Sequence, residues 1–201
     1  MIDSKAAQKY YKRAYKYYEA AKDNVKELSD IVKRAVPTFS FETAMEQFDW
    51  LLQGILLRAA AEDGQFREEE RVLIEKITDY GDIMKYLKVK GVDLTWDQFF
   101  AMPNNEQKKL SKQIIIWVMD VVSKKLIAPF AFVDKALPKD YCKELTQQIS
   151  AICITRAQSD GDIVNISDGN REFSGDSKAE VYTAITIVTK LFKDTWEKAA
   201  K

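Results

Sequence analysis

The chain has 201 residues, 46% of them hydrophobic, with 31 basic residues balanced by 31 acidic ones and no histidine. That length supports one well-buried core, and the cancelled charge gives no global field to draw in nucleic acid or an anionic membrane, so any electrostatic function is local. Without histidine, imidazole-based dyads and triads, imidazole zinc sites and histidine-ligated haem are excluded, and a bound metal has to be held by oxygen.

Seven glycines and four prolines punctuate the sequence, and apolar residues recur at three and four rather than at two. The fold class predicted is all-α, with about eight helices, three of them short, and no strand. The first helix covers residues 4–36 and is stopped by Pro37. Ala7, Tyr11, Ala14, Tyr18, Ala21, Val25, Leu28, Val32 and Ala35 follow alternating steps of four and three, which is a heptad seam. At roughly 1.5 Å per residue such a helix is about 50 Å long, whereas a compact body of the remaining residues is about 40 Å across. Two placements follow. The seam seals the domain lengthwise, or the helix projects and pairs with a second copy or a partner. The organisation expected is therefore a helix over 1–36 and a helical domain over 37–201.

Ser40 caps a second helix carrying Ala44, Phe48, Leu51, Leu52, Ile55, Leu56 and Ala59 to an Asp63-Gly64 turn. A third covers 68–79, with Gly81 behind it. Short helices follow at 82–88 and at 96–101, the latter opened by a Thr95/Gln98 capping box. Residues 105–128 are apolar nearly all round, which predicts a central buried helix ended by Pro129. After Pro138 a helix over 139–159 ends in Asp160-Gly161, and the last helix covers 178–200. Cys142 and Cys153 fall in one helix, too far apart to bridge, and read as reduced core residues.

The run Arg58-Ala-Ala-Ala-Glu-Asp63-Gly64 has a weaker copy, Arg156-Ala-Gln-Ser-Asp160-Gly161-Asp162. Each ends an apolar helix, and each is followed by a helix with a glutamate in its first turn: Glu70, and Glu180 in a Ser177-Lys-Ala-Glu180 capping box beyond a polar insertion over 162–176. The pattern is that of a duplicated helical hairpin. Glu62, Asp63 and Asp160 stand at helix C-termini, where the macrodipole disfavours a carboxylate by about 0.3–1 kcal/mol. A cation reverses that sign, and carboxylates with free carbonyls make an oxygen shell suited to Ca²⁺ or Mg²⁺. The metal candidates are Asp63, Glu70, Asp160, Asp162 and Glu180. In the competing reading, Asp63 and Asp160 bond their own turns and Glu70 and Glu180 are capping residues. An EF-hand is excluded, because Phe173 stands where its glycine belongs and Ala179 where its bidentate glutamate belongs.

Residues 59–71 with 157–161 resemble the TerB-like family, that of the tellurite-resistance TerB protein, over roughly residues 40–198. The resemblance implies an all-helical fold with internal pseudo-twofold symmetry and acidic motif residues facing each other at a metal centre. Asp63 and Glu70 match its first motif, Asp160 and Glu180 its second. Arg67, the long insertion and the extended first helix depart from the pattern, and no His-Pro-Asp motif is present.

The function expected is a non-enzymatic, metal-responsive interaction module. The alternative is a structural scaffold whose first helix, with Lys9, Lys12, Arg13 and Lys16, docks a partner helix, a second copy or a membrane surface. A third reading is a carboxylate-based, metal-dependent hydrolase with Asp160 or Asp162 as base. The tyrosines of the first helix are interspersed with Glu19 and Asp23, a solvated face and not a nucleic-acid surface. With no leader pattern and no apolar run of roughly 20 residues, a cytoplasmic location is expected.

Overall fold

The first helix, α1 (Lys5–Ala35), lies along the rest of the chain, with its most extensive packing against the helix over Tyr141–Gln158. In the computed structural model, residues 5–62, 66, 68–158, 164–167, 170–173 and 177–201 are described. Ala14, Tyr18, Ala21, Val25, Leu28 and Val32 are all buried, so the middle of the heptad seam is filled by the chain's own residues. Tyr11 is half-buried and Ala35 exposed, so the seam runs out at both ends. Polar contacts fix its axial position. Tyr11 donates to the Lys76 carbonyl at 2.9 Å near one end. Further along, Asn24 accepts from Lys139 at 2.6 Å and donates to Glu144 and Gln148 at 3.1 and 3.0 Å.

α2 (Phe41–Ala60), capped by Ser40, which accepts from the Thr43 amide at 3.1 Å, is buried over most of its length and is the central helix. α3 (Glu68–Lys76) is shorter than the 68–79 expected, because residues 77–82 form a loop pinned to α2. Gly81 is required there: a Cβ on it would lie 2.5 Å from the Glu46 carbonyl oxygen. α4 (Ile83–Val89) is capped by Asp82 and closes on Gly91, whose φ of +82° favours glycine. α5 (Trp96–Phe100) carries the Thr95/Gln98 capping box.

α6 (Asn104–Val122) is not the central helix the apolar run predicts. Ile114, Ile115, Val118 and Val122 face inward, but Ile116 is 61% exposed. Pro129 does not end it either. The helix continues through a π-helical turn, Ser123–Ile127, into α7 (Ala128–Asp134), with the Ala128 amide bonded to the Ser123 carbonyl. A proline inside an α-helix lacks the donor for residue i−4 and clashes with that carbonyl, and the wider turn is a way to absorb both faults. α8 (Tyr141–Gln158) follows. The segment Ser177–Ile187 (α9) likewise passes through a π-helical turn, Val188–Lys193, into α10 (Asp194–Ala199). The described residues thus form an all-helical fold of eight continuous helical runs.

Between α8 and α9 the backbone forms one small element that the periodicity missed. β1 (Val164–Ser167) pairs antiparallel with β2 (Asn170–Phe173), in the register Val164↔Phe173 and Ser167↔Asn170. Asp168-Gly169 between the strands is a strong hairpin signal, and a segment read as a polar insertion concealed it. Cys142 and Cys153 are free and buried, and burial pushes both thiols up to about 12. Among the described residues no helix is long and apolar enough to cross a membrane.

Candidate functional site

Three helix ends converge on one buried ion cluster. Glu70 stands in the first turn of α3 and Glu180 in the first turn of α9, where the helix dipole favours a carboxylate. Arg156 stands in the last turn of α8, where it favours a cation. Each charge is therefore stabilised by its own helix before it meets its partners. Arg156 Nη1 donates to Glu180 Oε2 at 2.5 Å, and Nη2 donates to Glu180 Oε1 at 3.1 Å, a two-pronged grip of one carboxylate. Nη2 also donates to Glu70 Oε1. All three side chains are about 1% exposed.

The two glutamates assigned to a common cation thus do come together, and the cation between them is a guanidinium. Asp63, Asp160 and Asp162 lie outside the described residues. Among the described residues no group of three or more acidic or cysteine side chains is arranged to hold a metal ion. The donor chemistry of Glu70 and Glu180, paired carboxylate oxygens, fits Ca²⁺ or Mg²⁺. Arg156 already bonds Oε1 of Glu70 and both oxygens of Glu180.

The run that begins at Arg58 is wired differently. Arg58 pairs with Glu62, four residues on and just past the end of its own helix, and Lys108 approaches Glu62 from α6 at 3.8 Å. The carboxylate of Glu62 at the end of α2 is therefore offset by two cations of the chain itself. Arg58 and Arg156 occupy matching places in the sequence, yet one serves its own helix and the other ties α8 to α3 and α9.

A second buried polar node went unread in the sequence. Asp49 of α2 is fully buried and accepts from the Tyr18 hydroxyl at 2.9 Å and from the Tyr80 and Gly81 amides, both at 2.8 Å. The Tyr18 hydroxyl in turn accepts from the Asp79 amide at 2.9 Å. Burial pushes the Asp49 carboxyl up to about 7, against the pull of the two amides and the Tyr18 hydroxyl. One turn on, Gln53 accepts from the Ile83 amide at 2.8 Å and donates to Thr78 and the Ile74 carbonyl. Asp49 holds the middle of the 77–82 loop, and Gln53 its start and the first residue of α4. The signal was present: Asp49 and Gln53 stand four apart among Phe48, Leu51, Leu52 and Ile55.

Comparison with known protein families, curated proteins and solved structures finds no match for this chain.

Proposed function

We propose that the chain is a non-enzymatic, metal-responsive interaction module of the TerB-like kind, built on an internal duplication. In this reading the two copies are the segments that run from Arg58 to Glu70 and from Arg156 to Glu180. The observation that carries it is the meeting of Glu70 and Glu180 at Arg156. These are the two motif glutamates of the family likeness, they come from opposite halves of the chain, and they share one cation. Asp63 follows α2 in the sequence and Asp160 and Asp162 follow α8, each within seven residues of a member of this cluster. They supply the remaining oxygens for Ca²⁺ or Mg²⁺, and Arg156 holds Glu70 and Glu180 in register when no ion is bound. Ion binding then alters how the first turns of α3 and α9 are held, and with them the surface offered to a partner.

A second reading has its own support. Arg156 already pairs with both glutamates from within, and the middle of the α1 seam is filled by the chain itself, which suits a scaffold with no ion. On that reading a partner helix, a second copy or a membrane surface meets the outer face of α1, where Lys9, Lys12, Arg13 and Lys16 are exposed. Calorimetric titration of the protein with CaCl₂ and MgCl₂, native against Asp63→Asn/Asp160→Asn, separates the two. The metal-responsive module binds a divalent ion at millimolar concentration or below and loses it in the double variant, and the scaffold binds none in either.

A further inference from the structure

The outer face of α1 carries its charges in two blocks. Lys9, Lys12, Lys16, Asp23, Glu27 and Asp30 are all exposed, and with the half-buried Ala20 between the blocks they recur at steps of three and four. They therefore form one stripe on the side away from the buried seam, basic in its first half and acidic in its second. A face that only keeps a helix in water gains from carboxylates and lysines set four residues apart. Here the neighbours four apart are alike, Lys12 with Lys16 and Asp23 with Glu27. The first turn of α1 also holds no acidic residue, although the helix dipole favours one there. On its own, α1 loses stability to this arrangement.

The rest of the chain does not use these charges. Among the described residues the ion pairs of α1 involve Glu19, Lys22 and Glu27, and Lys9, Lys12, Lys16, Asp23 and Asp30 have none. Glu27 meets Lys139 and Tyr141 through Oε2 and keeps 55% of its side chain exposed. A stripe that is basic at one end and acidic at the other is complementary to itself read backwards. In an antiparallel pair centred between Glu19 and Ala20, Lys9 faces Asp30, Lys12 faces Glu27 and Lys16 faces Asp23, and the twofold axis repeats all three. Arg34 falls opposite Lys5, so the match ends at residues 9 and 30. Ala20, small and beside the axis, lets the two backbones approach. A groove of about 410 Å³ between α1 and α8, lined by Lys16, Tyr17, Ala20, Glu144, Gln147 and Gln148, lies next to it.

We propose that two copies of this chain associate through the outer faces of α1, antiparallel, with the basic block of each against the acidic block of the other. The inference rests on the scaffold reading, in which this face meets a partner, and commits it to a second copy. A flat anionic membrane fits the stripe less well, because Asp23, Glu27 and Asp30 lie in line with the lysines and are repelled where those are attracted. The stripe shares no residue with the Glu70–Arg156–Glu180 cluster. Narrow and charged, the contact is weak and sensitive to salt.

The test is sedimentation velocity of the full chain. At about 20 mM salt the native protein dimerises with a Kd of roughly 0.1 mM or tighter, and at about 500 mM salt it does so at least about tenfold more weakly. Lys9→Glu/Lys16→Glu and Asp23→Lys/Asp30→Lys each set like charges across the axis, and each alone is monomeric. Mixed in equal amounts the two variants pair, because every facing pair named above is then opposite in charge. Both change exposed residues only and melt close to the native chain at high salt. Ala20→Cys, beside the axis, cross-links to its partner under a mild oxidant, whereas Lys9→Cys, whose copies stand roughly 30 Å apart, does not. A native chain that stays monomeric at low salt overturns the proposal, as does a dimer unmoved by salt or by either charge variant. A mixture that fails to pair, or cross-linking through Lys9→Cys, overturns it too. So does a monomer that binds phosphatidylserine vesicles, which leaves the scaffold reading standing with a membrane as its partner.

Discussion

Arg156 and Glu180 lie 24 residues apart in the chain and meet through two hydrogen bonds, at 2.5 and 3.1 Å, in a place closed to solvent. Because Glu70 shares the same guanidinium, this contact decides whether α3 and α9 start at one point. Taking one partner from a buried ion pair costs about 3–5 kcal/mol, because the other charge stays buried without it. Arg156→Met takes this guanidinium from two buried carboxylates and is expected in that range, a fall in Tm of roughly 6–20 °C at about 2–4 °C per kcal/mol for a chain of this size. Adding Glu70→Gln and Glu180→Gln to Arg156→Met removes the two buried charges and recovers much of the loss. Thermal melts of the single and triple variants check both statements.

The Asp49 carboxyl gives the protein a pH dependence of predictable sign. Its folded value, about 7, lies above the ordinary 3.8, so the fold binds that proton more tightly than the unfolded chain does. The stability it contributes is complete below about pH 3.8 and is lost as the pH rises through about 7. A variant with Asp49→Asn has no proton to lose at this position. Urea denaturation from about pH 5 to pH 8 should show the native chain losing ground to the Asp49→Asn variant, by up to a few kcal/mol at about 1.4 kcal/mol per pH unit.

Gly81 and Gly91 separate two uses of glycine. At Gly81 an added Cβ meets the backbone carbonyl of Glu46 at 2.5 Å and the Asp49 Cβ at 2.8 Å. Gly81→Ala has to push the loop off α2, at a cost of about 1–3 kcal/mol or more. At Gly91 the space is open and only the φ of +82° resists, so Gly91→Ala costs about 1–2 kcal/mol. Denaturant midpoints rank the two, with Gly81→Ala also weakening the Asp49 contacts and so changing the pH profile.

The two faces of α1 should respond differently to substitution. Leu28 is fully buried in the seam, and Leu28→Ala is expected to cost about 2–5 kcal/mol. Lys9, Lys12 and Lys16 are exposed, and changing all three to Gln should move stability by no more than about 0.5 kcal/mol per site. Equal losses from the two changes would contradict the packing of α1 described above.

The legible parts of this fold were those written in local periodicity. The steps of four and three in α1, the Ser40 cap and the Thr95/Gln98 capping box each depend on residues within a few turns of one another. What stayed hidden depends on convergence. Arg156 was visible as the start of a motif, but nothing in its neighbourhood says that a guanidinium fills the gap between Glu70 and Glu180. Ile116 sits in an apolar run and still faces solvent, because hydrophobicity all round a helix does not say which side a neighbour covers. Pro129 read as a stop because a π-helical turn leaves no sequence mark as plain as a proline. The paired strands 164–167 and 170–173 lay inside a segment whose polar residues drew attention to ligation and away from its Asp168-Gly169 sequence.

The most direct test of the central proposal is the melting temperature in Ca²⁺, in Mg²⁺ and in chelator, for the native chain and for Asp63→Asn/Asp160→Asn. A ligand held by the folded state alone stabilises it by about 2.7 kcal/mol at one hundred times its Kd. The native protein is expected to melt several degrees higher in millimolar Ca²⁺ or Mg²⁺ than in chelator, and the double variant to melt at one temperature in all three. No shift in the native protein, or the same shift in both, would contradict a metal-responsive site.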